Sequence, residues 1–166
     1  EKERAALFSD VPILVGHVAM LKHTGDAFTH DHLGVPIVVV RAGDGEIRAF
    51  LNVCRHRGVR LVNGDGVVNK TSFVCPYHNW TYGLDGTLRY IPLHEESFPA
   101  LDAQCHNLKA LPLAICEGLI FVNPDPGGTI DIDKHMGMVK ADFAAFGMSD
   151  HVFFRQTVTT LKCNWK

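Results

Sequence analysis

The feature that most constrains this chain is a pair of short motifs that each contain one cysteine and one histidine. The first motif reads Cys54-Arg55-His56-Arg57-Gly58, and the second reads Cys75-Pro76-Tyr77-His78. Two thiolates and two imidazoles make a complete set of four metal ligands. A zinc ion would accept this set, and so would a two-iron, two-sulfide cluster with two histidines on one iron. A buried disulfide between the two cysteines is a third interpretation.

The mixed composition of each motif favours the two-iron interpretation. Zinc fingers usually place both cysteines in one pair and both histidines in the other. In a binuclear site, by contrast, each loop can reach both metal ions. Cys54 and Cys75 would then bind one iron, and His56 and His78 would bind the other.

These motifs resemble the Rieske [2Fe-2S] domain of ring-hydroxylating oxygenase alpha subunits. The resemblance includes the four ligand types, an Arg-Gly after the first pair and a Trp after the second. It implies that loops 52–60 and 74–82 bind the cluster. It also implies that the metal ligands are Cys54, His56, Cys75 and His78. The further cluster-binding residues that it implies are Arg57, Gly58 and Trp80.

Charge counting indicates what such a cluster would do. Two ferric ions balance two sulfides and two thiolates, so the oxidised cluster is neutral when both imidazoles are neutral. A four-thiolate cluster starts more negative and is harder to reduce, which agrees with Rieske potentials of roughly −150 to +300 mV. Reduction should raise the pKa of the outer N–H groups of the two histidines, so we expect electron and proton uptake to be coupled at alkaline pH.

Composition narrows the class of protein further. The 166 residues carry a formal net charge of −2 and are 46% hydrophobic, which is typical of a globular domain with one sizeable core. No apolar run approaches the roughly 20 residues of a membrane-spanning helix, and Glu1-Lys2-Glu3-Arg4 is unlike a signal peptide. We therefore expect a cytoplasmic protein without membrane or nucleic-acid partners, in which Cys105, Cys116 and Cys163 are free thiols.

The pattern of short apolar runs and Gly/Asp turns predicts a mainly β fold. We expect a Rieske-type antiparallel β-sandwich with two cluster-binding hairpin loops, flanking segments and one C-terminal helix. A short helix is expected over 1–10 and a surface excursion over 94–107. The strands are predicted over 13–20, 27–29, 35–41, 46–52, 71–74, 111–116, 119–123 and 152–161, and the helix over 131–146.

The resemblance also implies a division of the chain. Residues 1–130 would form the Rieske domain with its N-terminal flank, and residues 131–166 a helix and a strand leading towards a catalytic domain. The ending Asn164-Trp165-Lys166 resembles the opening of that catalytic domain. In the family the catalytic domain holds a mononuclear non-haem Fe(II), and it is absent from this chain.

The function implied by the resemblance is electron transfer within an oxygenase. A ferredoxin or flavin reductase, supplied ultimately by NAD(P)H, would deliver electrons one at a time. The domain would pass them to the mononuclear iron of the same or a neighbouring alpha subunit in a homotrimer, where O2 is activated. The parent enzyme would be an aromatic-ring dioxygenase of aromatic hydrocarbon catabolism, or a related monooxygenase or demethylase, and this chain would contribute no catalytic residue. The alternative is a stand-alone Rieske-type ferredoxin.

Two further groups of residues have weaker interpretations. His30-Asp31-His32 resembles a pair of metal ligands, but no additional ligands accompany it. Arg55, Arg60 and Lys70 are either a basic rim for an acidic electron donor or an ordinary solvated face.

Overall fold

The computed structural model describes residues 11–31, 34–155, 157 and 159–163. These residues form three antiparallel sheets with few helices, which confirms the predicted mainly β architecture. The helix predicted over 1–10 and the ending Asn164-Trp165-Lys166 lie outside the described residues. The strands are β1 (Ile13–His17), β2 (Asp26–His30), β3 (Ile37–Arg41), β4 (Ile47–Leu51), β5 (Val67–Asn69), β6 (Phe73–Val74), β7 (Thr81–Tyr82), β8 (Leu88–Tyr90), β9 (Ala110–Leu111), β10 (Leu113–Cys116) and β11 (Leu119–Val122).

The central sheet has five strands in the order β5-β2-β3-β4-β9. Strand β3 lies in its middle and pairs Val38 with Phe50 and Val39 with Ala49 of β4. Side chains alternate between the two faces of a strand, and both faces of β3 are buried. This explains why its sequence is an unbroken β-branched run rather than an alternation of apolar and polar residues.

A smaller sheet covers each face of the central sheet. On one face Val38 and Val40 pack with Phe73 and Tyr82 of the sheet β6-β7-β8 and with Trp80, which directly precedes β7. This core also includes Cys54 and Cys75. On the other face Ile37 and Val39 pack with Ile120 and Val122 of the sheet β1-β11-β10. The two predicted cysteine ligands therefore belong to the core on one face of the central sheet.

The excursion predicted over 94–107 contains helix α1 (His94–Ser97) and a single 3-10 turn over Gln104–His106. Most of this segment is exposed, as expected. Phe98 and Leu101 nevertheless pack against the core that contains Cys54 and Cys75. The excursion thus forms part of the wall around the predicted site.

The C-terminal part differs from the prediction of a single helix and a strand. Residues 131–146 form two helices, α2 (Ile132–Met136) and α3 (Val139–Ala145), because Gly137 takes a positive φ of 51° that interrupts the helix. The strand predicted over 152–161 was wrong for the residues described there, which lie in no strand. Val152 and Phe154 are 77% and 91% exposed, so the alternating pattern has neither a neighbouring strand nor a core to cover.

All five cysteines are free thiols, which counts against a disulfide between Cys54 and Cys75. No helix within the described ranges is long and apolar enough to cross a membrane.

Candidate metal centre

Both predicted ligand motifs fold into the same closed turn. In the first, the Cys54 N–H donates to the Val59 carbonyl at 2.7 Å and the Gly58 N–H donates to the Cys54 carbonyl at 2.9 Å. In the second, the Cys75 N–H donates to the Trp80 carbonyl at 2.9 Å and the Asn79 N–H donates to the Cys75 carbonyl at 3.0 Å. The hydrogen-bond pattern relative to the cysteine is identical in the two loops.

The fifth residue of each turn has the backbone conformation that closes it. Gly58 has a φ of 68° and Asn79 a φ of 55°. Glycine adopts this left-handed region without steric cost, and asparagine is among the few other residues that visit it often. The Gly in the first motif is therefore explained by the turn itself, and Asn79 is its counterpart in the second motif.

The two turns bring the histidines side by side. The rings of His56 and His78 have centroids 4.6 Å apart and are tilted by 59°. The Nδ1 atom of each ring is buried and has no hydrogen-bond partner in the protein. Because buried polar atoms are nearly always paired, two adjacent orphan nitrogens fit a bound group that accepts both lone pairs, as a metal ion does.

The cysteines lie in the core behind the histidines. Both thiols are buried, and Cys54 Sγ is 3.3 Å from the Tyr82 hydroxyl oxygen. Burial raises the pKa of the Cys54 thiol, and the neighbouring Cys75 raises it further, although the Tyr82 hydrogen bond opposes both effects. A thiolate pair in this apolar place therefore needs a compensating positive charge, which metal binding supplies.

The four predicted ligands are grouped as two pairs of different chemistry. In the part of the chain that the structure describes, no three His, Cys, Asp or Glu side chains gather as they would around a single metal ion. A structural zinc site would bring all four ligands around one point. A pair of thiols next to a pair of imidazoles would suit the two irons of a [2Fe-2S] cluster, one pair for each iron.

The surroundings of the two histidines differ. Trp80 is buried and stacks on His56, with centroids 4.9 Å apart and an interplanar angle of 9°. Phe98 contacts the same histidine edge-on at 5.6 Å. The ring of His78 instead lies beside that of Tyr77, with ring centroids 3.7 Å apart, and Tyr77 is 57% exposed. His56 is therefore enclosed by aromatic rings, and His78 lies beside the surface.

A surface groove of about 450 Å³ gives access to this place. His56, His78 and Arg57 line it together with the apolar side chains of Leu93 and Phe98. Burial lowers the pKa of His56, and the charges of His78 and Arg57 lower it further. This shift favours the neutral form of the His56 imidazole, and neutral imidazole is the ligating form.

One residue of the site was not assigned a role from the sequence. The Tyr82 hydroxyl lies against Cys54 Sγ and also accepts a hydrogen bond of 3.0 Å from the Arg55 N–H. The sequence signal was its spacing from Trp80, because positions two apart on a strand share a face. Trp80 and Tyr82 are both buried in the core beside the cysteines.

The weaker candidates from the sequence do not join this site. Asp31 forms an ion pair with Arg60. The Asp31 carboxylate offsets the positive charge that Arg60 would contribute to a basic rim. His32 lies outside the described residues, so the His30-Asp31-His32 motif has no described metal-binding geometry. Arg55 contributes its backbone N–H to Tyr82, and Lys70 is exposed.

Comparison with known sequences agrees with this geometry. A family model described as "Rieske [2Fe-2S] domain" matches residues 11–112. The biphenyl 2,3-dioxygenase subunit alpha of Rhodococcus jostii (strain RHA1) is 36% identical over 176 residues, which cover 100% of this chain and 36% of that protein. The carnitine monooxygenase oxygenase subunit of Acinetobacter baumannii is 36% identical over 171 residues, covering 100% of this chain and 44% of that protein.

Solved structures give the same result. A quaternary ammonium Rieske monooxygenase in complex with L-carnitine superposes with a TM-score of 0.80 and 29% identity, covering 89% of this chain and 42% of that one. Naphthalene 1,2-dioxygenase from Rhodococcus sp. superposes with a TM-score of 0.76 and 32% identity, covering 83% and 31%. This chain spans between about a third and just under half of the length of these relatives. From the matched motifs, the shared fold and this similarity, the chain belongs to the Rieske [2Fe-2S] domain family, and its relatives are Rieske oxygenase alpha subunits.

Proposed function

We propose that this chain is the electron-transfer part of a Rieske non-haem iron oxygenase alpha subunit. Cys54 and Cys75 hold one iron of the cluster, and His56 and His78 hold the other. The observation that carries this assignment is that two buried, unpartnered Nδ1 atoms lie next to two buried thiols. The two ligand loops that hold them are turns with the same hydrogen-bond pattern. When bound, the cluster supplies one-electron redox chemistry.

Side chains around the proposed ligands supply a hydrogen bond to Cys54 and cover one side of His56. The Tyr82 oxygen accepts the Arg55 N–H, and the hydroxyl lies against Cys54 Sγ, so it is the donor to Cys54 when that residue is a thiolate. Burial and the neighbouring Cys54 raise the pKa of Tyr82, which keeps the hydroxyl protonated and able to donate. Trp80 and Phe98 cover one side of His56 and exclude water from it.

The partners follow from the relatives and from the exposed side of the site. A ferredoxin or flavin reductase delivers electrons that come ultimately from NAD(P)H. The acceptor is the mononuclear Fe(II) of a catalytic domain in the same or a neighbouring alpha subunit of a homotrimer. The groove lined by His56 and His78 supports this proposal, because it is the open side of the site on which another protein surface can approach.

The parent reaction is an O2-dependent oxidation in the cytoplasm. Dioxygenase and monooxygenase relatives match at the same 36% identity. This equality is expected when the matched region carries electrons and a different region binds substrate. The aromatic-ring dioxygenase and the monooxygenase or demethylase are therefore the two candidate parent enzymes.

The cluster assignment is tested by analysis of the purified chain. It should be red-brown, with about two irons and two acid-labile sulfides per chain. Its reduced form should give the EPR average g value of a cluster with histidine ligands rather than four cysteines. A colourless protein with one tightly bound zinc would refute the assignment.

The second candidate function is that of a stand-alone Rieske-type ferredoxin. The gene sequence downstream of Lys166 distinguishes it from the oxygenase. A reading frame that continues past Lys166 by the length of a domain supports the oxygenase. A stop codon at that point supports the independent electron carrier.

A further inference from the structure

Asn52 is a buried polar residue at the start of the first ligand loop. It follows directly after β4 and is 0% exposed. Its backbone N–H donates to the Pro36 carbonyl at 2.8 Å, so its main chain extends the pairing of β3 with β4 by one residue. The side chain points into the protein, where an amide must find hydrogen-bond partners.

The Asn52 side chain closes the loop by hydrogen bonds to the other end. Its Oδ1 accepts from the Leu61 N–H at 3.2 Å and from the Val62 N–H at 2.9 Å. Its Nδ2 donates to the Val62 carbonyl at 2.7 Å. A neighbouring strand would offer the same donor and acceptor groups, but neither Leu61 nor Val62 lies in a strand.

The two ligand loops differ in what holds their ends together. The second loop connects β6 and β7, which pair with each other, so the sheet itself fixes both ends. The first loop leaves β4 and the chain next forms β5, and these two strands are separated by β2 and β3 in the central sheet. The Asn52 amide therefore supplies the closure that strand pairing supplies in the second loop.

The segment that Asn52 closes contains half of the metal ligands. Cys54 and His56 lie between Asn52 and Leu61, inside the turn closed by the Cys54–Val59 hydrogen bond. Leu61 and Val62 are buried in the same core as Cys54 and Cys75. Fixing the end of the loop at Leu61 and Val62 thus also fixes the thiol and the imidazole relative to the second loop.

We propose that Asn52 is a positioning residue for the [2Fe-2S] cluster. It acts through the first ligand loop and holds Cys54 and His56 in the arrangement that both irons require. This inference rests on the cluster-binding function proposed above. It predicts that loss of the Asn52 amide weakens cluster retention and alters the electronic environment of the irons, beyond any loss of fold stability.

The chain offers a matched control in Asn123. It is 2% exposed and also follows directly after a strand, β11. Its Oδ1 accepts from the Asp125 N–H at 3.0 Å, and its Nδ2 donates to the Thr129 carbonyl at 3.1 Å. It closes a loop in the same way, but this loop contains none of the four cluster ligands.

The experiment compares Asn52→Ala, Asn52→Asp and Asn123→Ala with wild type in the cluster-loaded chain. The measurements are the Tm, the rate of cluster loss in excess iron chelator well below every Tm, and the EPR g values of the reduced form. Asn52→Ala should lose the cluster about 10- to 100-fold faster than wild type, the range typical of residues that support metal ligands. Its EPR spectrum should shift or broaden.

The other two variants separate positioning from stability. In Asn52→Asp the carboxylate still accepts both N–H groups but sets an oxygen against the Val62 carbonyl, so its release rate should also exceed that of wild type. Asn123→Ala should lower the Tm while it keeps the wild-type release rate and EPR spectrum. If Asn52→Ala does not fold, the same comparison is made between Asn52→Asp and Asn123→Ala.

The inference is overturned if the Asn52 variants that fold release the cluster no faster than Asn123→Ala and have its EPR spectrum. A wild-type chain that contains no iron or sulfide would instead refute the proposed function, and this inference with it. The two failures are therefore distinguished by the wild-type sample alone.

Discussion

His56 and His78 are distinguished from the other histidines of the described chain by adjacent rings with buried, unpartnered Nδ1 atoms. Replacing either with Ala removes a ligand and leaves one iron with three. We expect loss of the visible colour and of most iron and sulfide in both variants. His135→Ala is the control, because His135 is exposed and contacts only Phe121 edge-on among the described rings. Full iron content and a histidine-type EPR signal in His56→Ala would contradict the ligand assignment.

The same geometry predicts how the reduction potential depends on pH. Ligation through Nδ1 leaves the Nε2 N–H of each ring able to titrate. An added electron raises the pKa of these N–H groups, so reduction takes up a proton once the oxidised form has lost it. The potential should therefore be constant at low pH and fall as pH rises through the oxidised-state pKa. Protein-film voltammetry measures this curve, and a potential independent of pH in the alkaline range would exclude titrating histidine ligands.

Tyr82 should raise the reduction potential of the site. The hydroxyl lies 3.3 Å from Cys54 Sγ and is the donor once Cys54 is a metal-bound thiolate, which has no proton to give. This hydrogen bond should be stronger when the cluster carries the extra electron. Tyr82→Phe removes the donor and leaves the ring, so the potential should fall. A difference of about 1 kcal/mol for the hydrogen bond corresponds to a decrease of roughly 40 mV for one electron.

The control for this prediction is Tyr90→Phe, because Tyr90 is exposed. Its potential should equal that of wild type. An unchanged or higher potential in Tyr82→Phe would show that the hydroxyl does not stabilise the reduced state.

Residue chemistry explains which parts of the site the sequence could predict. Paired cysteines and histidines at short spacing have few uses other than metal binding, so Cys54, His56, Cys75 and His78 were named as ligands from the sequence alone. The contributions of Tyr82 and Asn52 depend on hydrogen bonds to residues 28 and 10 positions away. Such contacts exist only after the sheets have formed, so no local sequence pattern predicts them.

At the scale of the elements, the twin turns make a prediction about backbone conformation. Gly58 has a φ of 68°, and no other protein atom lies within 4 Å of a Cβ built on it. Gly58→Ala should therefore cost only the backbone term, about 1–2 kcal/mol of unfolding free energy. Asn79→Gly, at the equivalent position with a φ of 55°, should be neutral or slightly stabilising.

The matched comparison for these variants is Gly118→Ala. Gly118 has a φ of 76°, but a Cβ there would lie 2.2 Å from His17 Nε2, so a clash is added to the backbone cost. Denaturant unfolding should rank the variants as Asn79→Gly, Gly58→Ala and Gly118→Ala in order of decreasing stability. If Asn79→Gly were the least stable of the three, the equivalence of the two turns would be wrong.

Elements with a strong local sequence pattern were predicted better than short elements that depend on distant pairing. Strand β3 was recognised because both of its faces are buried, and the hairpin β10–β11 because Glu117 and Gly118 take the positive φ values of a tight turn. The short strand β5 was missed because its pairing with β2 depends on residues distant in sequence. The apolar alternation over 152–161 indicated a strand, but the residues described in that range are largely exposed and lie in no strand.

At the scale of the whole molecule, the candidate site lies on one side of the central sheet. The core that contains Cys54 and Cys75 lies between the central sheet and β6-β7-β8, and a separate core on the other face joins β1-β11-β10. A third small cluster packs Met136 of α2 on Phe121. Because β1-β11-β10 and α2 contribute none of the proposed ligands, changes there should affect fold stability more than the cluster.

This arrangement predicts that the 166-residue chain transfers electrons and oxygenates nothing. Oxygen activation by non-haem iron uses two histidines and a carboxylate with open coordination positions. Among the residues that the structure describes, no group of three His, Cys, Asp or Glu side chains could hold such an iron. Both irons of a cluster bound at Cys54, His56, Cys75 and His78 are fully ligated by protein and sulfide, which leaves no position for O2 or substrate. The chain should therefore be reduced by dithionite or a compatible reductase, be reoxidised slowly by air, and give no product by mass spectrometry with either biphenyl or carnitine. The full-length protein, if its reading frame continues, serves as the positive control. Stoichiometric formation of a hydroxylated or demethylated product by the isolated chain would mean that the oxygenating iron is held by residues assigned here to other roles.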